Sequence, residues 1–141
     1  MESTRTLQLL SRQHKEDRLK CRELLKDIQQ QGDKRTIQQS VVQFWKNELQ
    51  KHVDAEEAIL FPFLQKHRFN NDLVKSLRRE HDTIRVLAER LPMQSEGAHL
   101  YKAFVKLVDQ HSYFEDEVLF PKMQLEIPAQ DLAQLDATLP R

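Results

Sequence analysis

Four histidines and two glutamates interrupt otherwise apolar stripes in this 141-residue chain: His14, His52, Glu56, His81, His111 and Glu115. Four of them belong to an internal repeat. His52-Val-Asp-Ala-Glu56-Glu-Ala-Ile-Leu-Phe-Pro62 matches His111-Ser-Tyr-Phe-Glu115-Asp-Glu-Val-Leu-Phe-Pro121, with His, Glu, Leu, Phe and Pro identical. Residues four apart on a helix share a face, so each His-x-x-x-Glu pair aims an imidazole and a carboxylate at one point. Upstream of each pair lies another stripe histidine, His14 before His52 and His81 before His111. Four imidazoles and two carboxylates in an apolar interior are costly without compensation. Metal coordination compensates all six at once. The donors are nitrogen and oxygen with no sulfur, which suits iron best and admits zinc, manganese or cobalt. Six side chains exceed what one tetrahedral zinc needs, and they fit two metals with bridging carboxylates.

The elements that must position these residues read as helices. The first stripe is Leu7, Leu10, His14, Asp17, Cys21, Leu24 and Ile28, with steps of three and four. Gly32 ends it and Asp33 caps the next helix. The second stripe is Ile37, Val41, Trp45, Glu48, His52, Ala55, Glu56, Ile59 and Phe63, with Pro62 making the last turn irregular. Asn70, Asn71 and Asp72 offer caps for a third, which carries Leu73, Leu77, His81, Ile84, Ala88 and Leu91 and stops at Pro92 and Ser95. The fourth carries Leu100, Phe104, Leu107, His111, Phe114, Glu115 and Val118 and ends near Pro121. Leu132, Leu135 and Leu139 mark a short tail helix over about 128–139 that packs within the chain. The expected fold is therefore all-α: an antiparallel up-down-up-down four-helix bundle with a short C-terminal extra helix. One domain spans 1–141, with its core over 7–123.

Heights along the helices test this. His14 and His52 lie at roughly 26 and 27 Å from the first turn, and Glu56 and His81 at roughly 14 and 15 Å from the second. The third turn matches only if the fourth helix starts nearer His99. The six residues then form one layer.

Composition removes other chemistries. Lys plus Arg (22) equals Asp plus Glu (22), so no global field favours nucleic acid or a membrane surface. Two glycines exclude a glycine-rich phosphate loop, a dinucleotide fingerprint and a nucleophile elbow. One cysteine, Cys21, excludes an internal disulfide and a cysteine-rich zinc site. The N-terminal residues carry no signal-peptide pattern and no apolar run spans a bilayer, so a cytoplasmic setting is expected. No feature names a protein partner.

The ordered pattern His14, His52-x-x-x-Glu56, His81, His111-x-x-x-Glu115, with Glu80 before His81 and two Leu-Phe-Pro endings, resembles the hemerythrin-like family of HHE cation-binding domains. The resemblance covers roughly Leu7 to Met123. It implies a non-haem di-iron centre with a bridging oxo or hydroxo group inside a four-helix bundle. By that resemblance Glu56 and Glu115 bridge the irons, His14 and His52 serve one iron, and His81 and His111 serve the other. The oxygen-carrying hemerythrins have a fifth histidine four residues from the third-helix one; here those positions hold Leu77 and Arg85. The four-histidine pattern is similar to members linked to iron handling, nitric oxide and redox stress.

The expected function is binding or sensing of a small diatomic ligand, dioxygen or nitric oxide. Leu10, Ile59, Ile84, Phe114 and Val118 would wall the site. The alternatives are iron storage, sensing or donation, and a di-iron oxidase or peroxidase, for which no further residue offers a catalytic base. Asp17 and Glu48 share a level one turn from His14 and His52. They read either as an edge pair bound to arginines such as Arg18 or Arg22, or as groups that orient the histidines, replace a ligand or line an iron path. Cys21 and Trp45 read as core, and Tyr113, His67 and His99 as surface.

Overall fold

The computed structural model describes residues 5–30, 32–93 and 97–138. The architecture is all-α, with no strand among the described residues. Helix α1 is Arg5–Gln29. Helix α2 covers 34–66, α3 is Asn71–Arg90, and α4 covers 97–126. Two short pieces, α5 (Ala129–Leu132) and α6 (Gln134–Thr138), complete the chain's helices among the described residues. None of these helices is long and apolar enough to cross a membrane.

The turns use the expected caps. Asp33 accepts from the backbone N–H and the hydroxyl of Thr36 at 3.1 and 2.7 Å, which satisfies free donors at the start of α2. Asn70 does the same for α3, accepting from Leu73 N–H at 3.1 Å. Helix α4 opens at Gly97, two residues ahead of His99, with a φ of +67° that glycine adopts without strain. Gln31 and Ser95 of the expected turns lie outside the described residues.

Helices α2 and α4 do not stop at their prolines. Each contains a widened π turn that begins at the glutamate of the repeat, Glu56–Leu60 and Glu115–Leu119. There the Glu56 carbonyl accepts from Phe61 N–H and the Glu115 carbonyl from Phe120 N–H, five residues on. A proline ring clashes with the carbonyl four residues back in a regular helix. The widened turn gives Pro62 and Pro121 room, and the helices run on to Lys66 and Glu126. Helix α4 thus extends past the end expected near Pro121. A third π turn, Trp45–Leu49, occurs in α2.

Each π turn adds one residue and shifts the phase of the apolar stripe. Leu60 and Leu119 are buried, whereas Val118 is 42% exposed, so the expected wall residue Val118 faces outward. In the same way Leu49 is buried and Glu48 is turned to the surface.

The buried side chains form two apolar layers. One holds Cys21, Leu24, Val41, Trp45, Ala88 and Phe104. The other holds Leu7, Leu10, Phe61, Leu77, Met123 and Leu135. Each large apolar side chain buried there stabilises the fold by about 1.5–3 kcal/mol. The tail expected as one helix is divided at Ala133, and Leu132 and Leu135 are buried. It is tied to the start of α1, where Thr6 donates its N–H and hydroxyl to Asp136 Oδ1 at 2.8 and 2.7 Å. Leu139 lies outside the described residues.

Candidate metal centre

Between the two apolar layers the stripes carry His14, Glu56, His81, His111 and Glu115, all buried. One donor atom from each of Glu56, His81, His111 and Glu115 lies within 4.8 Å of the others. Glu56 sits at the middle with its two oxygens divided. Oε2 pairs with His14 Nε2 at 3.0 Å, and Oε1 pairs with His81 Nε2 at 2.9 Å, with His111 Nε2 at 3.6 Å. Glu115 Oε1 is in direct contact with His111 Nε2 and lies 3.9 Å from His14 Nε2. The Nε2 atoms of His81 and His111 are 3.1 Å apart. His52 lines a small cavity with His14, Glu56 and His111.

The outer ring nitrogens are anchored by carboxylates. His81 Nδ1 pairs with Glu57 Oε2 at 2.9 Å, His111 Nδ1 with Glu80 Oε1 at 2.7 Å, and His52 Nδ1 with Asp17 Oδ2 at 2.8 Å. An acceptor on Nδ1 places the ring proton there and leaves the Nε2 lone pair free to coordinate. Arg85 in turn holds Glu57 at 3.0 Å and Asp54 at 2.7 Å. The phenylalanines of the repeat pack on the remaining ring faces: Phe61 on His81 with centroids 5.0 Å apart, and Phe120 on His14 at 5.3 Å.

The charges are strongly coupled. Burial pushes the Glu56 carboxyl up, but the adjacent His111 ring and hydrogen bonds from His14 and His81 outweigh it and hold it well below the usual carboxylate range. Burial raises Glu115, and the adjacent Glu56 charge adds to the rise. Burial lowers His111, yet the Glu115 charge and its hydrogen bonds carry it well above the ordinary histidine value. His14 is raised for a similar reason, chiefly by its bond to Glu56 against the cost of burial. Neither Glu115 oxygen makes a hydrogen bond of ordinary geometry, Oε1 touching only His111 Nε2, and His14 Nδ1 is buried without a partner. Buried carboxylate oxygens are rarely left so. Such orphaned oxygens, together with ring nitrogens that converge on them, fit a bound cation.

Of the six residues read from the sequence, five meet at the centre and His52 stands at its rim, its side chain 14% exposed. Asp17 is buried and orients His52, whereas Glu48 is exposed, so the expected pair is divided. Arg18 pairs with Asp109 at 3.4 Å instead of Asp17. Cys21 and Trp45 are core, while Tyr113 and His99 are at the surface. His67 is half-buried against the tail rather than exposed, its ring tilted against Phe63 with centroids 4.5 Å apart and Nε2 3.3 Å from Gln134 Oε1. The sequence pattern gave Glu57 no role, and it marked Glu80 only as a flank of His81. The one available signal for Glu57 was its match to Asp116 in the repeat.

The family model for the hemerythrin HHE cation binding domain matches residues 5–122. The chain belongs to this family. No curated protein and no solved structure matches it. Membership and the buried His/Glu cluster together make this a hemerythrin-like cation-binding domain.

Proposed function

We propose that this hemerythrin-like domain holds two iron ions through His14, His52, Glu56, His81, His111 and Glu115, and uses them to bind or sense dioxygen or nitric oxide. The observation that carries the proposal is the division of Glu56, one oxygen toward His14 and the other toward His81 and His111. A carboxylate placed so has one oxygen for each of two ions. Glu115, touching His111 and facing His14, is suited to the second bridge. When bound, the iron pair would supply reversible binding and electron transfer toward the diatomic ligand. The chain's own part is to orient four rings, supply two bridging charges and limit water through Leu10, Ile84 and Phe120, all buried.

The arrangement inferred for the helices is the antiparallel up-down-up-down bundle within a single domain of 1–141. Partner residues running in opposite order support it. Along α1, Ser11, His14 and Arg18 meet Asp116, Glu115 and Asp109 of α4. Between α2 and α3, Asp54, Glu57 and Gln65 meet Arg85, His81 and Arg78.

Iron handling is the second reading, favoured by His52, whose exposed edge gives one ion a short way out. Both readings are tested first by elemental analysis of protein purified without added metal or chelator. Two irons per chain are expected. One zinc per chain, or no metal, would set the di-iron reading aside.

A further inference from the structure

The two copies of the repeat do not build equal halves of the site. On the α3/α4 side, His81 and His111 are 1% and 6% exposed, and both Nδ1 atoms are anchored, by Glu57 and Glu80. Glu57 is itself fixed by Arg85. On the α1/α2 side the anchoring is incomplete. Asp116, the match of Glu57, is one methylene shorter and accepts from Ser11 Oγ, while His14 Nδ1 is buried with no partner. His52 is the most exposed of the four rings at 14%.

His52 also stands between two hollows. A small cavity of about 20 Å³ is lined by His14, Glu56 and His111. A surface pocket of about 360 Å³ is lined by Glu16, Glu23 and Glu48, with Lys20 and Lys51. His52 and Asp17 line both. The acidic surface pocket and the cavity at the buried donors thus share one imidazole and one carboxylate, bonded to each other at 2.8 Å.

We propose that the His52–Asp17 pair is the gate through which divalent cations reach and leave the centre, and that the two metal positions are consequently unequal. The His81/His111 position is preassembled, fills first and empties last. The His14/His52 position fills second and exchanges through the acidic pocket, whose carboxylates concentrate cations at its mouth. This rests on the two-metal reading above.

The test uses the full chain reconstituted anaerobically with Fe2+. Bound ions per chain are counted first, and release to a ferrous chelator is then followed over time. The expected result is two ions per chain released in two phases of equal amplitude, their rates about tenfold or more apart, the scale on which ligand-orienting partners act. Asp17→Asn should speed the fast phase alone, and Glu57→Gln the slow phase alone. Glu16→Gln with Glu48→Gln, both at the surface, should slow uptake of the second ion with the count unchanged. Two ions released in a single phase, or both phases altered equally by Asp17→Asn, would overturn the gate while leaving the two-metal reading intact. Fewer than two ions in the unaltered chain would overturn that reading itself and the gate with it.

Discussion

His52 and His111 occupy the same place in two copies of one motif, yet they differ in setting. His111 is buried, with its Nε2 against Glu115 and close to His81, and its Nδ1 on Glu80. His52 lies at the rim, held by Asp17. The local sequences His-x-x-x-Glu and Leu-Phe-Pro are shared, and so is the π turn that starts at each glutamate. The difference lies upstream. Helix α2 has a further π turn at Trp45–Leu49, just before His52, and the 18 residues of α4 from Gly97 to Phe114 are regular helix. One extra residue in a turn rotates the downstream part of a helix against its upstream part by about 100°. Leu49 and Val53 are buried there, and His52 lies between the interior and the surface. A motif therefore specifies which atoms face one another locally. The phase of the whole helix decides how deep they lie.

The sharpest way to break this comparison is to remove each ring in turn. His111→Ala takes a donor from the preassembled set and should lower the metal content of the chain from two ions to none or a trace. His52→Ala should leave one ion bound. Metal counted per chain after gel filtration decides it; equal loss from both variants would mean that the two copies are equivalent.

The two bridging candidates offer the next largest contrast, in the metal-free protein. Glu56 is bonded by His14 and His81, with His111 nearby at 3.6 Å, while Glu115 touches His111 alone. Breaking a buried charged network by removing one partner costs about 3–5 kcal/mol. Glu56→Gln should therefore destabilise the metal-free chain by about 3 kcal/mol in denaturant unfolding. Glu115→Gln should cost less, because it weakens one contact, with His111, and removes a charge that burial and Glu56 already disfavour. The pH dependence has its origin in the same directions. The contribution of Glu56, whose carboxyl is depressed, is present above the usual carboxylate range and lost as pH falls through its lowered value. The contributions of His14 and His111, which are raised, are present below the ordinary histidine value and lost as pH rises through their elevated values. The metal-free chain should be most stable in the window between, and Glu56→Gln should flatten the acid side of that profile.

The same physics decides how much of this was legible in the sequence. The all-α class, the caps Asp33 and Asn70 and the meeting of His14, Glu56, His81, His111 and Glu115 all come from spacing and cap chemistry, which regular helices preserve. Glu48 and Val118 were misplaced because a π turn shifts phase by one residue and leaves no mark in a stripe read at 3.6 residues per turn. Pro121 reads as a helix end and Pro62 as an irregular last turn, although proline is accommodated within a continuing helix once the turn is widened. Glu57 has no role in the pattern and Glu80 stands there only as a flank of His81, because a polar residue beside a buried ring looks like any solvated side chain until the neighbouring helix is in place. Asp17 was visible only because it interrupted an apolar stripe.

Caps give a smaller effect that sets the baseline for these contrasts. Asn70→Ala removes the acceptor for Leu73 N–H at the start of α3 and should cost about 1 kcal/mol. The loss should appear equally with and without metal, since the cap lies at the α2–α3 turn, away from the centre. A loss that grew on metal binding would mean that the preassembled half depends on that turn more than its carboxylate anchors imply.

The smallest signal concerns how far the looser half opens. Cys21 lies two turns beyond His14 on α1, as Ala88 lies two turns beyond His81 on α3, and Cys21 is fully buried. Burial, helped by the nearby charges of Asp109 and Asp17, pushes its thiol far above the ordinary range, so almost no thiolate forms at neutral pH. If opening at His52 is confined to that ring and Asp17, the thiol stays silent toward a disulfide reagent in the folded chain and reacts only as the whole chain unfolds. Labelling tracked across a denaturant series, beside far-ultraviolet circular dichroism, should give coincident transitions. Labelling that runs ahead of the loss of helix would show α1 parting from α2 as a unit. The difference between His52 and His111 would then reflect a loosely docked helix rather than the phase set by one extra π turn.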